Sequence, residues 1–144
     1  MSDLQAPDSD RLIIDQMADA LIYSDRQGAI RRWNAAAEAL FGHPAAQALG
    51  QSLDLIIPDN LRAAHWSAFD RAMETGATRL HGRPTVTRAL TADGRSIYVE
   101  MSFALVVDAS GTAIGSVAVA RDVTQRRQEE KELKARLVEL EQGV

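Results

Sequence analysis

The stretch DALIYSDRQGAIRRWNAAAEALFGH, residues 19–43, decides the fold of this chain. It starts with two short strand patterns that are joined by a turn at residues 25–28. The turn ends in a glycine, which can adopt the positive φ angle that a tight hairpin turn often needs. An alanine-rich helical pattern follows at once, with Asn34 as its N-cap and Gly42 directly after its end. The stretch therefore predicts a β-hairpin that leads straight into a helix over residues 34–41.

The chain beyond this stretch continues with helices and then with strands. The longest helical pattern of the core covers residues 60–75 and ends at Gly76. Three strand patterns follow, and in the middle one the odd-numbered residues of 97–107 form an apolar face. Two strands, several helices and three strands, in this order, predict an α+β domain with a five-stranded antiparallel sheet. The predicted strands are residues 20–24, 29–33, 79–91, 97–107 and 114–121.

Composition excludes several classes of protein and site. The chain has 144 residues, of which 46% are hydrophobic and 25% charged, as expected for one soluble globular domain. It has no cysteine, so disulfides, thiolate metal sites, cysteine nucleophiles and a flavin–cysteinyl photoadduct are excluded. The net charge of −4 offers no basic surplus for nucleic acid, so no nucleic-acid partner is expected.

Membrane attachment and catalysis also lack a signal in the sequence. No apolar stretch approaches the ~18 residues that span a bilayer, and the N-terminus lacks the pattern of a signal peptide, so we expect a cytoplasmic protein without a membrane partner. No Ser–His–Asp order and no phosphate-cradling glycine loop is present, so we expect no enzyme activity.

Four strings of the sequence together resemble the PAS family of sensory domains over about residues 17–127. The resemblance implies a sheet wrapped by short helices around a central pocket, with flanking helices that dimerise and relay a signal. It also implies a downstream output domain, which in this family can be a kinase, a cyclase or a phosphodiesterase. The strings are DALIYSDRQGAIRRWNAAAEALFGH (19–43), ALGQSLDLIIP (48–58), TADGRSIYVEMSF (91–103) and GSVAVARDVTQRR (115–127).

Helical patterns flank the core at both ends, which divides the chain into an N-terminal cap helix (1–18), a PAS sensor core (19–123) and a C-terminal signalling helix (124–144). The cap stripe is expected to pack on the outer face of the sheet or against a second subunit. The signalling helix is expected to form a coiled coil in a homodimer, or alternatively to fold back on its own sheet. The cap stripe is Leu12, Ile13 and Met17, and the C-terminal seam is Val123, Leu133, Leu137, Leu140 and Val144.

His65 is the first candidate site residue, since it falls on the predicted inward face of the 60–75 helix. A buried imidazole needs a partner, and the iron of a haem would be one. The flat haem ring would fill the space left beside small residues such as Ala68. The string IPDNLRAAH, residues 57–65, is similar to the segment with the proximal histidine in haem-binding PAS sensors, the oxygen-sensing histidine kinases and the haem-regulated phosphodiesterases. That resemblance implies b-type haem with His65 as its iron ligand. The alternative is a core histidine that is hydrogen-bonded to a backbone carbonyl.

A basic set after His65 is the second candidate feature, because haem propionates suit Arg or His as charge-assisted donors. The resemblance places Arg71 and Arg79 on propionate-contacting positions and Arg83 on the position of a distal ligand. The distal arginine of the kinase type falls on Thr85, which is a departure from that pattern. In the alternative interpretation these arginines are solvated loop residues. The predicted haem site comprises His65 as metal ligand with Ala68, Arg71, Arg79, Arg83 and Val117.

Two hypotheses for function remain from the sequence. In the first, the chain is a sensor that binds haem b and responds to a diatomic gas (O2, CO or NO) or to the redox state of the iron. In the second, it is a metal-free dimerisation module whose pocket is empty or holds a small organic acid through Arg83 or Arg88. No string specific for flavin is present, so no flavin is expected.

Overall fold

The computed structural model describes residues 6–78 and 82–143. Five strands and five α-helices lie in these ranges, together with a 3₁₀ turn at Leu53–Ile56. None of the described helices is long and apolar enough to cross a membrane. The elements are α1 (Ala6–Gln16), β1 (Ala20–Asp25), β2 (Ile30–Trp33), α2 (Ala35–Phe41), α3 (Ala45–Ala48), α4 (Asp59–Thr75), β3 (Thr85–Leu90), β4 (Ser96–Val107), β5 (Ala113–Asp122) and α5 (Thr124–Gln142).

The five strands form one antiparallel sheet in the order β2-β1-β5-β4-β3, which confirms the predicted α+β fold. The first and last strands of the sequence are therefore neighbours, and residues 20–25 pair with residues 115–120 in an unbroken register. One face of the sheet packs on the short helices and on α4 to form the hydrophobic core. The largest fully buried apolar side chains of this core are Phe41, Ile22, Ile30 and Val99.

Several predicted elements differ from the structure in extent or burial. The N-terminal cap helix, expected within residues 1–18, runs from Ala6 to Gln16. The third strand, expected at 79–91, is Thr85–Leu90, and residues 79–81 of the prediction lie outside the described residues. The apolar face of β4 is buried through Met101, but Val107 is 50% exposed, because the pairing with β5 shifts register just before it.

Asn34 joins three segments of the chain and confirms the predicted N-cap. Its side-chain oxygen accepts hydrogen bonds from the backbone N–H of Ala37 at 3.0 Å and of Leu21 at 2.9 Å. Its side-chain nitrogen donates to the backbone oxygens of Ile14 at 2.8 Å and Asp19 at 3.1 Å. The side chain is 1% exposed, and its bond to Ala37 is buried while the other three are partly buried. A single amide thus holds α1, the start of β1 and the first turn of α2 together.

The two terminal helices expose their apolar residues. Leu12 and Ile13 of α1 are 53% and 65% exposed, and the main contact of α1 is with α2. The described residues of α5 include no buried side chain, although its first turn contacts β4. The alternative of a signalling helix folded back on its own sheet is therefore wrong.

Candidate functional site

A cavity of about 480 Å³ lies between the inner face of the sheet and α4, with the 3₁₀ turn at one side. This volume is within the range of sites that bind small molecules and cofactors. Most of the lining is apolar and includes Ile22, Leu53, Ile56, Met101 and Phe103. The polar side chains in the lining are His65, Thr85, Thr87 and Ser116.

His65 reaches this cavity from the middle of α4. Its ring is half-buried and lies against the rings of Trp66, at 4.7 Å between centroids, and Phe69, at 6.0 Å. Its Nδ1 atom is buried and has no hydrogen-bond partner among the described residues. The alternative of a histidine satisfied by a backbone carbonyl is therefore not seen at this nitrogen. A buried ring nitrogen without a partner is costly, and a ligand in the cavity would supply the missing partner.

Burial lowers the pKa of His65 below its ordinary value, against the opposing effect of the Asp54 and Asp70 carboxylates, which favour the protonated form. The imidazole is therefore neutral at pH 7, with a lone pair available on one ring nitrogen. A neutral imidazole is the form that coordinates a metal.

The lowered pKa predicts that acid destabilises the chain. Between its ordinary value of about 6.5 and its lower value in the folded state, His65 takes up a proton more readily when the chain is unfolded. Stability therefore rises with pH across this window and falls as the pH drops below about 6.5. We expect the urea midpoint to be lower at pH 5.5 than at pH 7, and this difference to shrink in His65→Gln. An undiminished difference in His65→Gln would show that other groups cause it.

Two polar side chains that the sequence did not single out attach α4 to the 3₁₀ turn. Trp66 donates from Nε1 to Oδ1 of Asp54 at 2.7 Å. Arg62 donates to the backbone oxygens of Ile57 at 3.0 Å and Asp54 at 3.2 Å. These bonds come from residues just before and just after His65, so they set the height and rotation of the imidazole over the cavity. The sequence did contain one sign of this attachment, the aspartate Asp54 inside the apolar string LDLIIP (53–58). A carboxylate among apolar residues needs a hydrogen-bond donor nearby.

The structure does not bring the other predicted residues to the cavity. The buried stripe of α4 repeats every four residues through His65, Phe69 and Met73, whereas Ala68 lies about 60° round the helix and is exposed. Arg71 is also exposed and is absent from the lining. Val117 lies on the opposite face of β5 from Ser116, since successive side chains of a strand alternate.

Two members of the basic set remain to be placed. Arg83 is exposed just before β3 and does not line the cavity, and Arg79 lies outside the described residues. Thr85 and Thr87 of β3 line the cavity instead. Arg88 is part of the same strand at the cavity, but it is exposed and pairs in register with Tyr98, so its side chain lies on the other face of the sheet.

The residues of the cavity fit a haem. The walls are apolar, as a porphyrin ring requires, and one neutral imidazole has an unsatisfied buried nitrogen. In the described part of the chain, no group of three or more His, Asp or Glu side chains is placed to hold a metal ion by itself.

Comparison with protein families decides the class of domain. A family model described as the PAS fold matches residues 14–128, which include the whole sheet and the cavity. The chain belongs to the PAS fold family. Its cavity therefore lies where the resemblance in the sequence implies the central pocket of a PAS domain.

Several curated relatives of this PAS domain are sensor proteins. The sensor protein FixL of Bradyrhizobium diazoefficiens is 29% identical over 131 residues, which cover 91% of this chain and 25% of FixL. The signal transduction histidine-protein kinase AtoS of Escherichia coli is 31% identical over 140 residues, covering 92% of this chain and 22% of AtoS. The oxygen sensor protein DosP of Escherichia coli is 29% identical over 92 residues, which cover 64% of this chain and 11% of DosP. The chain thus spans a quarter or less of each of these relatives, and it is a sensory module of the kind found in signalling proteins.

Solved structures agree on the fold. The PAS domain of a protein from Colwellia psychrerythraea has a TM-score of 0.73 at 23% identity, covering 83% of this chain and 98% of that domain. An RNA-binding light-oxygen-voltage receptor has a TM-score of 0.75 at 21% identity, covering 99% of this chain and 40% of the receptor. At these identities the likeness shows the PAS fold and nothing about the ligand.

Proposed function

We propose that this PAS module binds haem b through His65 and senses a diatomic gas or the redox state of the iron. The observation that carries the proposal is the neutral, half-buried imidazole whose Nδ1 has no partner at the wall of an apolar cavity. The proposal is supported by the similarity to DosP, whose name states that it senses oxygen. When bound, haem would supply an iron centre that takes up a small gas or changes its oxidation state.

Different residues would hold different parts of the haem. His65 would provide the nitrogen that binds the iron, and the hydrogen bond between Trp66 and Asp54 would hold this part of α4 in place. Leu53, Ile56 and Met101 would offer the apolar surface for the ring and exclude water.

β4 connects this cavity to α5. Met101 lines the cavity on one face of the strand, while Tyr98 and Glu100 lie on the other face. The guanidinium of Arg127 lies 4.9 Å from the centre of the Tyr98 ring, and Arg126 pairs with Glu100 at 3.2 Å.

Backbone bonds strengthen this connection. Tyr98 accepts from the backbone N–H of Val123 at 2.9 Å, and its own N–H donates to the Thr124 hydroxyl at 3.0 Å. A displacement of β4 by a cavity ligand would therefore move the first turn of α5 directly. The output domain that receives this movement would be a kinase, a cyclase or a phosphodiesterase, in keeping with the histidine kinase AtoS among the relatives.

Titration with hemin tests the proposal. We expect the purified chain to give a Soret band that saturates at one haem per chain, and His65→Ala to lose at least about 90% of the band at equal hemin. His43→Ala is the matched control, because His43 also has a buried ring nitrogen without a partner among the described residues but is absent from the cavity lining. A wild-type chain without a Soret band, or a band that survives His65→Ala, would contradict haem binding through His65.

The second hypothesis from the sequence was a metal-free module that holds a small organic acid through Arg83 or Arg88. Neither arginine directs its side chain into the cavity, since Arg83 is exposed before β3 and Arg88 lies with Tyr98 on the other face of the sheet.

The exposed terminal helices predict a homodimer. The apolar pair Leu12 and Ile13 and the seam of Leu133, Leu137 and Leu140 are each at least 53% exposed, and a second copy would cover them. Light scattering after size exclusion should give a dimer for the chain and a monomer when these five residues are changed to glutamine. Leu49→Gln is the control, since Leu49 is 46% exposed but lies away from both helices. A dimer that survives the fivefold change would show that the interface lies elsewhere.

A further inference from the structure

Two buried serines face each other across neighbouring strands at the wall of the cavity. Ser24 of β1 pairs in register with Ser116 of β5, and the two hydroxyl oxygens are 3.1 Å apart. Ser24 is 1% exposed and Ser116 is 8% exposed, and Ser116 lines the cavity. Hydroxyls in such a position must satisfy each other or a ligand, because water does not reach them freely.

The hydrogen atoms of this pair can be arranged in two ways. In the first, Ser24 donates to the backbone oxygen of Asp25 at 3.3 Å and Ser116 donates to Ser24. In the second, Ser24 donates to Ser116, and the hydrogen of Ser116 is released toward the cavity. The second arrangement keeps the bond between the serines and gives up only the long bond to Asp25. A cavity ligand with an acceptor atom would therefore gain a donor at small cost to the protein.

We propose that the Ser24–Ser116 pair is a hydrogen-bond donor that selects among cavity ligands, favouring dioxygen over carbon monoxide. This inference rests on the proposed haem function. Donors near the iron decide how well a haem site holds dioxygen, whose outer atom accepts a hydrogen bond far better than that of carbon monoxide. The cavity wall formed by Ile22, Met101 and Phe103 around Ser116 is apolar, so a single donor there acts without competition from those side chains.

Gas affinities of the reduced, haem-loaded protein test the proposal. We expect Ser116→Ala to weaken dioxygen binding about tenfold and to change carbon monoxide binding less than about twofold. Ser24→Ala should keep or strengthen dioxygen binding, because the hydrogen of Ser116 then has no competing acceptor. Ser102→Ala, which removes a half-buried hydroxyl of β4 that does not line the cavity, is the control and should leave both affinities within about twofold.

The possible outcomes distinguish a failure of the serine proposal from a failure of the haem proposal. A wild-type chain that takes up no hemin overturns both proposals. Haem uptake with equal losses of the two gases in Ser116→Ala overturns the serine donor alone. Parallel losses in Ser24→Ala and Ser116→Ala, or a tenfold loss in Ser102→Ala as well, also overturn it. Urea midpoints of the haem-free variants show that a loss of affinity is not a loss of folding.

Discussion

We expect Asn34→Ala to lower the free energy of unfolding by about 3–5 kcal/mol, a large part of the stability of a domain of this size. The substitution removes four hydrogen bonds from a fully buried side chain. Two backbone N–H groups and two backbone oxygens then lose their partner, at about 1 kcal/mol or more each. Urea denaturation followed by circular dichroism measures the loss.

Ser52→Ala provides the matched control for this change. Ser52 caps the 3₁₀ turn at Leu53–Ile56 and accepts one hydrogen bond, from Asp54 at 3.1 Å, at an exposed position. Ser52→Ala should lower the free energy of unfolding by about 0.5–1 kcal/mol, as the loss of an ordinary N-cap does. If Asn34→Ala costs no more than Ser52→Ala, then Asn34 acts only as a cap and does not join α1 to the core.

We expect Gly28→Ala to lower the free energy of unfolding by about 2–4 kcal/mol. Gly28 has a φ angle of +81°, which costs a residue with a Cβ about 1 kcal/mol. A Cβ at this position would also lie 2.2 Å from Cη2 of Trp66, so the indole must move. Because Trp66 holds α4 to Asp54, the displacement should also weaken hemin binding at the neighbouring His65.

Gly94→Ala separates the two causes. Gly94 has nearly the same φ angle, +84°, but a Cβ there meets nothing within 4 Å. Gly94→Ala should lower the free energy of unfolding by about 1 kcal/mol. The further loss in Gly28→Ala then measures the contact with Trp66. In a Trp66→Ala background the cost of Gly28→Ala should fall to that of Gly94→Ala. Equal costs of the two glycine variants in the wild-type background would show that Trp66 does not restrain the hairpin.

Local patterns in the sequence predicted features that depend on neighbouring residues. Asn34 and Gly42 bound α2 as expected, because capping involves only residues a few positions apart. The strand and turn patterns were sufficient for the α+β class and the five strands. His65 was placed on an inward face by helical spacing, and the structure puts it in the lining of the cavity.

The rest of the site depends on contacts between residues that are distant in the chain. Ser116 became a cavity residue because β5 pairs with β1, which brings it to Ser24 from 92 positions away. Asp54 and Trp66 meet because the 3₁₀ turn packs against α4, and neither strand nor helix periodicity carries that information. Ala68 and Val117 were misplaced for the same reason, since the face of an element that borders a cavity depends on what packs against it.

The sequence by itself thus determined the elements, their order, the fold class and the histidine, since capping, alternation and helical period are properties of short segments. Only the tertiary structure decided which polar groups share the cavity with His65: the hydroxyls of Thr85, Thr87 and Ser116, the last of which pairs with Ser24. The physical reason is that a cavity is the space left between packed elements. Its lining therefore follows from strand register and helix rotation across the whole domain, which no short stretch of sequence contains.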